Sequence, residues 1–505
     1  MEKILVHELV AAVQGTLLTA DGAENGREEL SAVQAGHGES GACEITSVVT
    51  DSRRIIPGCV FFALCGERFD GHAFVDSALD QGAAACVVSR RPEVLRPGKY
   101  YVLVEDTLRA LGRLAAWYRS RFDVKVIGIT GSVGKTTCRE MVAAVLSGRF
   151  RVHSTQGNFN NEIGLPMTIL SLSREDEVMV LEMGMNHPGE IGRLTRIAAP
   201  DIGVITNIGT AHIGILGSRE NIFLAKKEIF EGMPEGAAAV LCGDDDYLPR
   251  IAEDPVLSSR YRILYAGTGT NSAYRGSHVR LEVSGIEAGQ AGTPDKGREK
   301  LSLVTRCRIS MPTVSADLDL VIHAAGLHLV EPASIAVAVA DLLGMTREEI
   351  LRGLETFSGQ RMRCEKYGDV LLFDDTYNAS PESMESSLRI IAALPASRRV
   401  AVLGDMLEQG EYAEELHRRV GAAAAKAGID TLIAVGKLSR YMAEEAAKEG
   451  LADVRACEDR RSAAGAVEEA TKPGTVILFK ASHGMALGKL AEVSRAKAKA
   501  AGKIH

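Results

Sequence analysis

The sequence predicts an α/β protein of three domains, and three observations carry that expectation. Its 505 residues exceed what one ordinary hydrophobic core encloses. Short apolar runs alternate with helical patterns through most of the chain, as they do where parallel sheets are built from β-α-β units. The third observation is local. The stretch VIGITGSVGKTT, Val126 to Thr137, reads as a buried strand, a glycine-rich turn and a helix, the order in which a phosphate-binding loop is built.

Taken in order, the first section offers strands at TSVVTDSR (47–53), CVFFALCG (59–66), AAACVVS (83–89) and YYVLVED (100–106). The helical segment TLRALGRLAAWYRSRF (107–122) then leads into the quoted loop, which sets a boundary near 121. The central section, 122–326, offers VKVIGIT, EVMVLEMG (177–184), DIGVITNIG (201–209) and AAAVLCGDDD (237–246), the apolar strands of a doubly wound, mainly parallel sheet. HVRLEVSGIE and KLSLVTRCRISM alternate like hairpin strands and predict a small antiparallel extension. The third section, 327–505, returns to VLLFDDTY, RRVAVLGDM, TLIAVG and TVILFKAS between alanine-rich helices, a Rossmann-like pattern. Two polar, glycine-rich stretches, 21–41 and 287–299, read as surface insertions.

Composition narrows the function classes. An apolar share of 46% and a charged share of 25% are those of a soluble globular protein. A net charge of −8 gives no broad electrostatic reason to bind nucleic acid or an anionic membrane, so any phosphate-bearing ligand must be held locally. Nine scattered cysteines without a C-x-x-C pair indicate neither a zinc site nor a disulfide framework. The amino terminus carries His7 and Glu8 within its apolar part and no basic n-region, and no apolar run is long enough to span a membrane; a cytoplasmic enzyme is the expectation.

The loop's spacing is irregular. The general pattern places its first glycine where this chain has Ile129, and the glycines fall instead at Gly128 and Gly131. The chemistry is still that of an anion site: backbone N–H groups of Thr130, Gly131, Ser132, Val133 and Gly134 meet the positive end of a helix. Lys135 would neutralise β- and γ-phosphates, Thr136 would offer its hydroxyl to Mg²⁺, and Thr137 is expected to bind ATP with the rest of the loop. Downstream, Glu182 and His212 each follow a strand, where ligands of open α/β sheets gather. Singly, a solvated carboxylate and a hydrogen-bonded loop histidine would read the same way. Together, after a phosphate loop, they read as magnesium ligands.

The string TGSVGKTT, followed by NFNNEIGLP (158–166), EMGMNHPGEIGRLTRIAAPDIGVITNIGTAHI (182–213), LAKKEIFEG (224–232), DDTYNASPESM (374–384) and VLGDMLEQG (402–410), resembles the Mur ligases of peptidoglycan synthesis. The resemblance covers most of the chain apart from the two insertions, and the family's loop, TGSxGKT, has the irregular spacing seen here. It implies an ATP-dependent amide ligase, expected to be a monomer, whose first domain holds a UDP-sugar peptide, whose second holds ATP and whose third closes over both. It implies UDP-N-acetylmuramoyl tripeptide and D-alanyl-D-alanine as the small-molecule substrates, and ATP and Mg²⁺ as cofactors. By resemblance one metal falls to Thr136 and Glu182, and a second to His212 and a carbamylated Lys226; without the family, Lys226 would read as half of a solvated Lys-Lys pair. Asp51, Ser52 and Arg53 resemble the segment that contacts the uridine nucleotide, and Asn160 and Asn161 one near the sugar peptide. Arg361 and Asp375 match residues associated with ATP and domain closure, while Tyr377, Asn378 and Ser380 match the dipeptide and nucleotide region.

Two departures and three rivals qualify that reading. Family members carry G-x-H-N-x-x-N where this chain has GLHLVEPA, so Leu329 and Pro332 replace both asparagines and adenine recognition is rebuilt or weakened. His483 replaces an arginine in KASHGM, which weakens an anion contact there. Neither touches the metal constellation, and the expectation is an active enzyme with a raised ATP KM. The rivals are a diamino-acid-adding relative, which would show D-N-P-R, a folylpolyglutamate synthase, which would lack the D-S-R segment, and a non-catalytic nucleotide-binding relative.

Overall fold

Each apolar run of the first section becomes a strand of one small sheet. In a computed structural model, which describes residues 1–20, 24–25, 43–66, 69–288, 299–313, 317–357, 359, 363–376, 378–407 and 409–501, that sheet has six strands. Ser47–Val49, Cys59–Phe62, Ala85–Val88 and Tyr100–Leu103 run parallel, and Thr16–Leu18 pairs antiparallel to the last of them. The helix Thr107–Arg119, capped by the Asp106 carboxylate on the N–H groups of Leu108 and Arg109, carries the chain into the central domain. Most of the two polar insertions, together with Arg361 and Tyr377, lies outside the described residues.

The central sheet orders its parallel strands Val152–Ser154, Val178–Glu182, Lys125–Thr130, Ile202–Ile205, Ala238–Cys242 and Arg262–Gly267. Both faces are covered, which is why these strands read as continuous apolar runs. Val126 and Met179 face one layer of the core, while Ile127, Ile129, Val178 and Val180 face the other. On that second face lies the helix Lys135–Ser147, burying Met141, Val142 and Val145 as its spacing predicts. Beyond Arg262–Gly267 the sheet turns antiparallel: Tyr274–Ala288 and Glu299–Ile309 form the expected hairpin, with Leu281 opposite Thr305.

The last six strands run Arg363–Tyr367, Val370–Asp375, Thr475–Lys480, Arg398–Gly404, Thr431–Val435 and Asp453–Cys457, parallel except for the first pair. Glu299 and Lys300 pair with Lys366 and Glu365, so the hairpin links the central and last sheets.

The helices Val330–Leu342 and Arg347–Leu354 share the core of the helix Lys135–Ser147. Arg352 donates to the carbonyl of Gly148, and a side chain at Gly353 would meet the Val145 carbonyl at 2.1 Å. We therefore propose a second junction after Phe357, later than residue 326, with the first near 121. No helix among the described residues is long and apolar enough to cross a membrane.

Candidate active site

The phosphate loop is held from behind by the strand end Ile202–Ile205 and the residues after it. Asn207 accepts from Ser132 N–H at 3.0 Å through its carbonyl and from Val133 N–H at 2.9 Å through its side chain. Thr206 Oγ1 and Asn207 Nδ2 both donate to the Val133 carbonyl. Gly131 has φ +147°, and a Cβ there would stand 2.0 Å from Thr206 Oγ1, so this position admits glycine alone. The irregular spacing is thus built into the contact between loop and neighbouring strand. Thr130 donates to the Met183 carbonyl, and Lys135 turns its ammonium onto the carbonyls of Gly131 and Ser132 at 2.8 and 3.2 Å. Burial pulls the Lys135 pKa down, and the nearby Glu182 opposes that shift.

Glu182 ends its strand almost fully buried. Asn160 Nδ2 donates to Oε1 at 2.9 Å, Arg139 Nε stands 3.7 Å from Oε2, and Oε2 accepts no hydrogen bond. Asn160 is therefore placed against this carboxylate. Asn161 Oδ1 instead accepts from the N–H groups of Ile163 and Gly164 at the start of the helix Gly164–Leu170.

Lys226, in the helix Arg219–Lys227, is 1% exposed, and its Nζ has no partner. Burial holds its pKa well below the usual lysine value, and Lys135 adds to the shift. His212 sits at φ +65° before the short helix Ile213–Leu216. Burial, with the cations of Lys226 and Lys135, lowers its pKa to about 4, so its imidazole is neutral at pH 7. A neutral imidazole, a half-free carboxylate and a buried amine whose charged form is disfavoured by burial, with the Thr136 hydroxyl in the first turn of the loop's helix, form a donor set that suits hard cations once the amine carries an anionic oxygen. The unpartnered Glu182 Oε2 and Lys226 Nζ would otherwise be a pure cost.

The last domain closes the site from above. Asp375 accepts from Lys480 Nζ at 2.6 Å and from Ser387 at 2.8 Å. Ser380 caps the helix Pro381–Ala392, and Asn378 lends its carbonyl to Lys480. Thr210 donates to Glu382 across the interface, and Gly214 approaches Gly410 closely. Between the two domains lies a cavity of about 870 Å³ lined by Arg139, Gln156, Arg363, Asp374, His483 and Arg495, among others.

Asp51, Ser52 and Arg53 lie in the first domain. Asp51 caps the 3-10 turn Ser52–Arg54 and pairs through both oxygens with Arg53, which holds its carboxyl well below the usual range. Leu329 and Pro332 are buried in the apolar layer, with Pro332 in the first turn of its helix. Beside them is a group the sequence did not bring together, Cys242, Asp244 and Glu331, where burial raises the Glu331 pKa to about 7. Asn207, Arg139 and Lys480 were also missed. Asn207 and Lys480 lie in the segments VITNIG and KASHGM, but no local pattern gave either of them, or Arg139, a chemical role.

A doubly wound sheet whose phosphate loop faces a buried carboxylate, a neutral histidine and a buried, unpartnered lysine beneath a third domain defines a nucleotide-dependent group-transfer enzyme. Family models match in three consecutive pieces: the Mur ligase family catalytic domain over 44–119, the Mur ligase middle domain over 129–340, and the Mur ligase glutamate ligase domain over 360–483. A UDP-N-acetylmuramoyl-tripeptide–D-alanyl-D-alanine ligase of Synechocystis is 39% identical, covering 88% of this chain and 90% of its own. The structure is similar to MurF from Acinetobacter baumannii, with a TM-score of 0.81, 29% identity, and 98% and 99% of the two chains covered. It is also similar to MurF ligase from Thermotoga maritima in complex with ADP, with a TM-score of 0.74, 27% identity, and 90% and 98% covered. The chain belongs to the Mur ligase family.

Proposed function

We propose that the chain joins D-alanyl-D-alanine to the terminal carboxylate of UDP-N-acetylmuramoyl tripeptide, using ATP and releasing ADP and phosphate, in peptidoglycan synthesis. The observation that carries this reading is the set of buried Glu182 and Lys226 with half-buried Lys135 and His212 around a phosphate loop, in a chain whose relatives bear that ligase's name.

The chemistry explains the residue types. A carboxylate does not react with an amine at neutral pH, so the tripeptide carboxylate first takes the γ-phosphoryl group, with loss of ADP, to become an acyl phosphate. The dipeptide ammonium gives up a proton and the resulting amine attacks the carbonyl carbon; the C–N bond forms, the nitrogen loses a second proton, and the bond to phosphate breaks. In the first step two anions must meet. The loop N–H groups and Lys135 hold the transferring phosphoryl group, acting where charge moves rather than where it rests. Thr136 and Glu182 would hold one Mg²⁺, and His212 and Lys226 a second. Magnesium, when bound, offsets the repulsion between the carboxylate and the phosphates. Burial favours the uncharged form of the Lys226 amine, whose lone pair combines with carbon dioxide, and the resulting carbamate offers an oxygen ligand.

Asp51, Ser52 and Arg53 take the uridine nucleotide, and Asn160 and Asn161 line the sugar-peptide side. Arg361 and Asp375 serve ATP and closure, and Tyr377, Asn378 and Ser380 the dipeptide and nucleotide region. The test is direct. Protein, Mg-ATP and UDP-N-acetylmuramoyl tripeptide are incubated with D-alanyl-D-alanine or with a diamino acid, and phosphate release and product mass are measured. Phosphate and a product heavier by the dipeptide are expected. No phosphate with either amine overturns the ligase reading, and product with the diamino acid alone overturns the substrate.

A further inference from the structure

We infer that Glu382 binds the ammonium group of the incoming dipeptide, an inference that rests on the ligase reading above. Glu382 stands on the last domain, in the first turn of the helix Pro381–Ala392, yet its carboxylate reaches the central domain. Oε1 accepts from Thr210 Oγ1 at 3.2 Å and from Arg419 Nη1 at 3.2 Å. Oε2 is buried and accepts nothing.

Its neighbours specify what belongs beside it. A Cβ placed on Gly209 would lie 3.3 Å from the Glu382 carboxyl carbon and 3.3 Å from the Cβ of Ser132. The carboxylate therefore faces the phosphate loop across a glycine that has no side chain to separate them. Ser132 Oγ is likewise buried without a partner. A carboxylate so near a transferring phosphoryl group is repelled unless a cation lies between them. Arg419 does not supply a full charge, because it is also paired with Glu385 at 2.7 and 3.2 Å, so the two carboxylates and one guanidinium keep one net negative charge. The reaction delivers the missing cation. D-alanyl-D-alanine enters with an ammonium at the end that must reach the acyl phosphate, and a carboxylate on the closing domain brings it there. A buried oxygen with an unmet hydrogen bond is the acceptor that an N–H donor of that ammonium satisfies.

The experiment separates the two half-reactions in the full-length chain. Hydroxylamine, neutral at pH 7.5, traps the acyl phosphate as a hydroxamate without needing an ammonium site. The variant Glu382→Gln keeps the acceptor for Thr210. It is expected to form hydroxamate at the wild-type rate while kcat/KM for the dipeptide falls about 30- to 100-fold, mainly through KM, the loss of one charge-assisted hydrogen bond. Glu382→Asp is expected to recover part of that loss. A Glu382→Gln enzyme within threefold of wild type for the dipeptide overturns the inference, and so does a parallel fall of hydroxamate and dipeptide product, which marks a role in docking or phosphoryl transfer. If wild type itself forms no hydroxamate, the ligase reading fails instead.

Discussion

The central and last domains both bury polar groups near the carboxyl ends of parallel strands, and the groups around the phosphate loop, Glu382 Oε2 of the last domain among them, are satisfied quite differently from Asp405 and His417 of the last domain. In the central domain Glu182 Oε2, Arg139 Nε, Ser132 Oγ and Lys226 Nζ are buried without hydrogen-bond partners. In the last domain Asp405, following Arg398–Gly404, accepts from Leu438 N–H, Ser439 N–H and Ser439 Oγ at 3.1, 2.7 and 2.6 Å. His417, fully buried, accepts from Met406 N–H through Nε2 and meets the Ala413 carbonyl through Nδ1. Satisfied polar groups make architecture. Unsatisfied ones lower stability and persist where a ligand completes them.

The largest expected effect breaks the comparison at Lys226. Lys226→Ala should reduce turnover by about 1,000-fold or more, the scale of losing a group that holds transition-state charge, with Tm unchanged or raised because an unpaired buried amine is removed. Short carboxylates should restore part of the activity by supplying the lost oxygen. Full activity of Lys226→Ala in the phosphate assay would remove it from the site. At the opposite pole, Asp405→Ala should cost about 2–4 kcal/mol by leaving buried N–H groups unpaired, read as a lower urea midpoint, while kcat per folded molecule stays near wild type.

A pH experiment sharpens the satisfied side. Burial lowers the His417 pKa, so below about pH 6.5, the ordinary histidine value, the unfolded state binds the proton more readily than the folded one. Stability supplied by this group is therefore complete above that pH and is lost as pH falls. His417→Gln should be less stable than wild type at pH 7.5, with the gap in Tm narrowing toward pH 5. A constant gap would show that His417 does not titrate on unfolding.

The sheets were largely legible because strands buried on both faces leave continuous apolar runs, as in VIGIT and VMVLE. Short or half-exposed strands were not: Val152–Ser154 offers one apolar residue in three, and Asp453–Cys457 carries Arg455. The helices after 327 looked like the start of a new section, because sequence order does not reveal that Val330–Leu342 returns to pack on the helix Lys135–Ser147. In the site, Lys135 and Glu182 stood out through the loop and the strand end. Burial of Lys226 did not, since Lys-Lys on a helix has the pattern of a solvated face. Asn207 and Glu382 act through contacts between segments far apart in the chain, which no local pattern encodes.

The smallest expected effect concerns the nucleotide. Leu329 and Pro332 are absorbed into the apolar layer beside Ile335 and Ala336, and Pro332, lacking an N–H, sits in the first helical turn where no intrahelical donor is needed. Neither side chain offers a hydrogen bond, so neither position can contact a nucleotide base through one. One neutral hydrogen bond is worth about 0.5–1.5 kcal/mol, and the ATP KM should exceed that of an asparagine-bearing relative measured in parallel by about 2- to 10-fold. kcat should be unaffected, because the base lies away from the reacting phosphoryl group. An equal or lower ATP KM would mean that other groups hold the base, and the Cys242, Asp244 and Glu331 cluster, with the Glu331 pKa near 7, is the place to look.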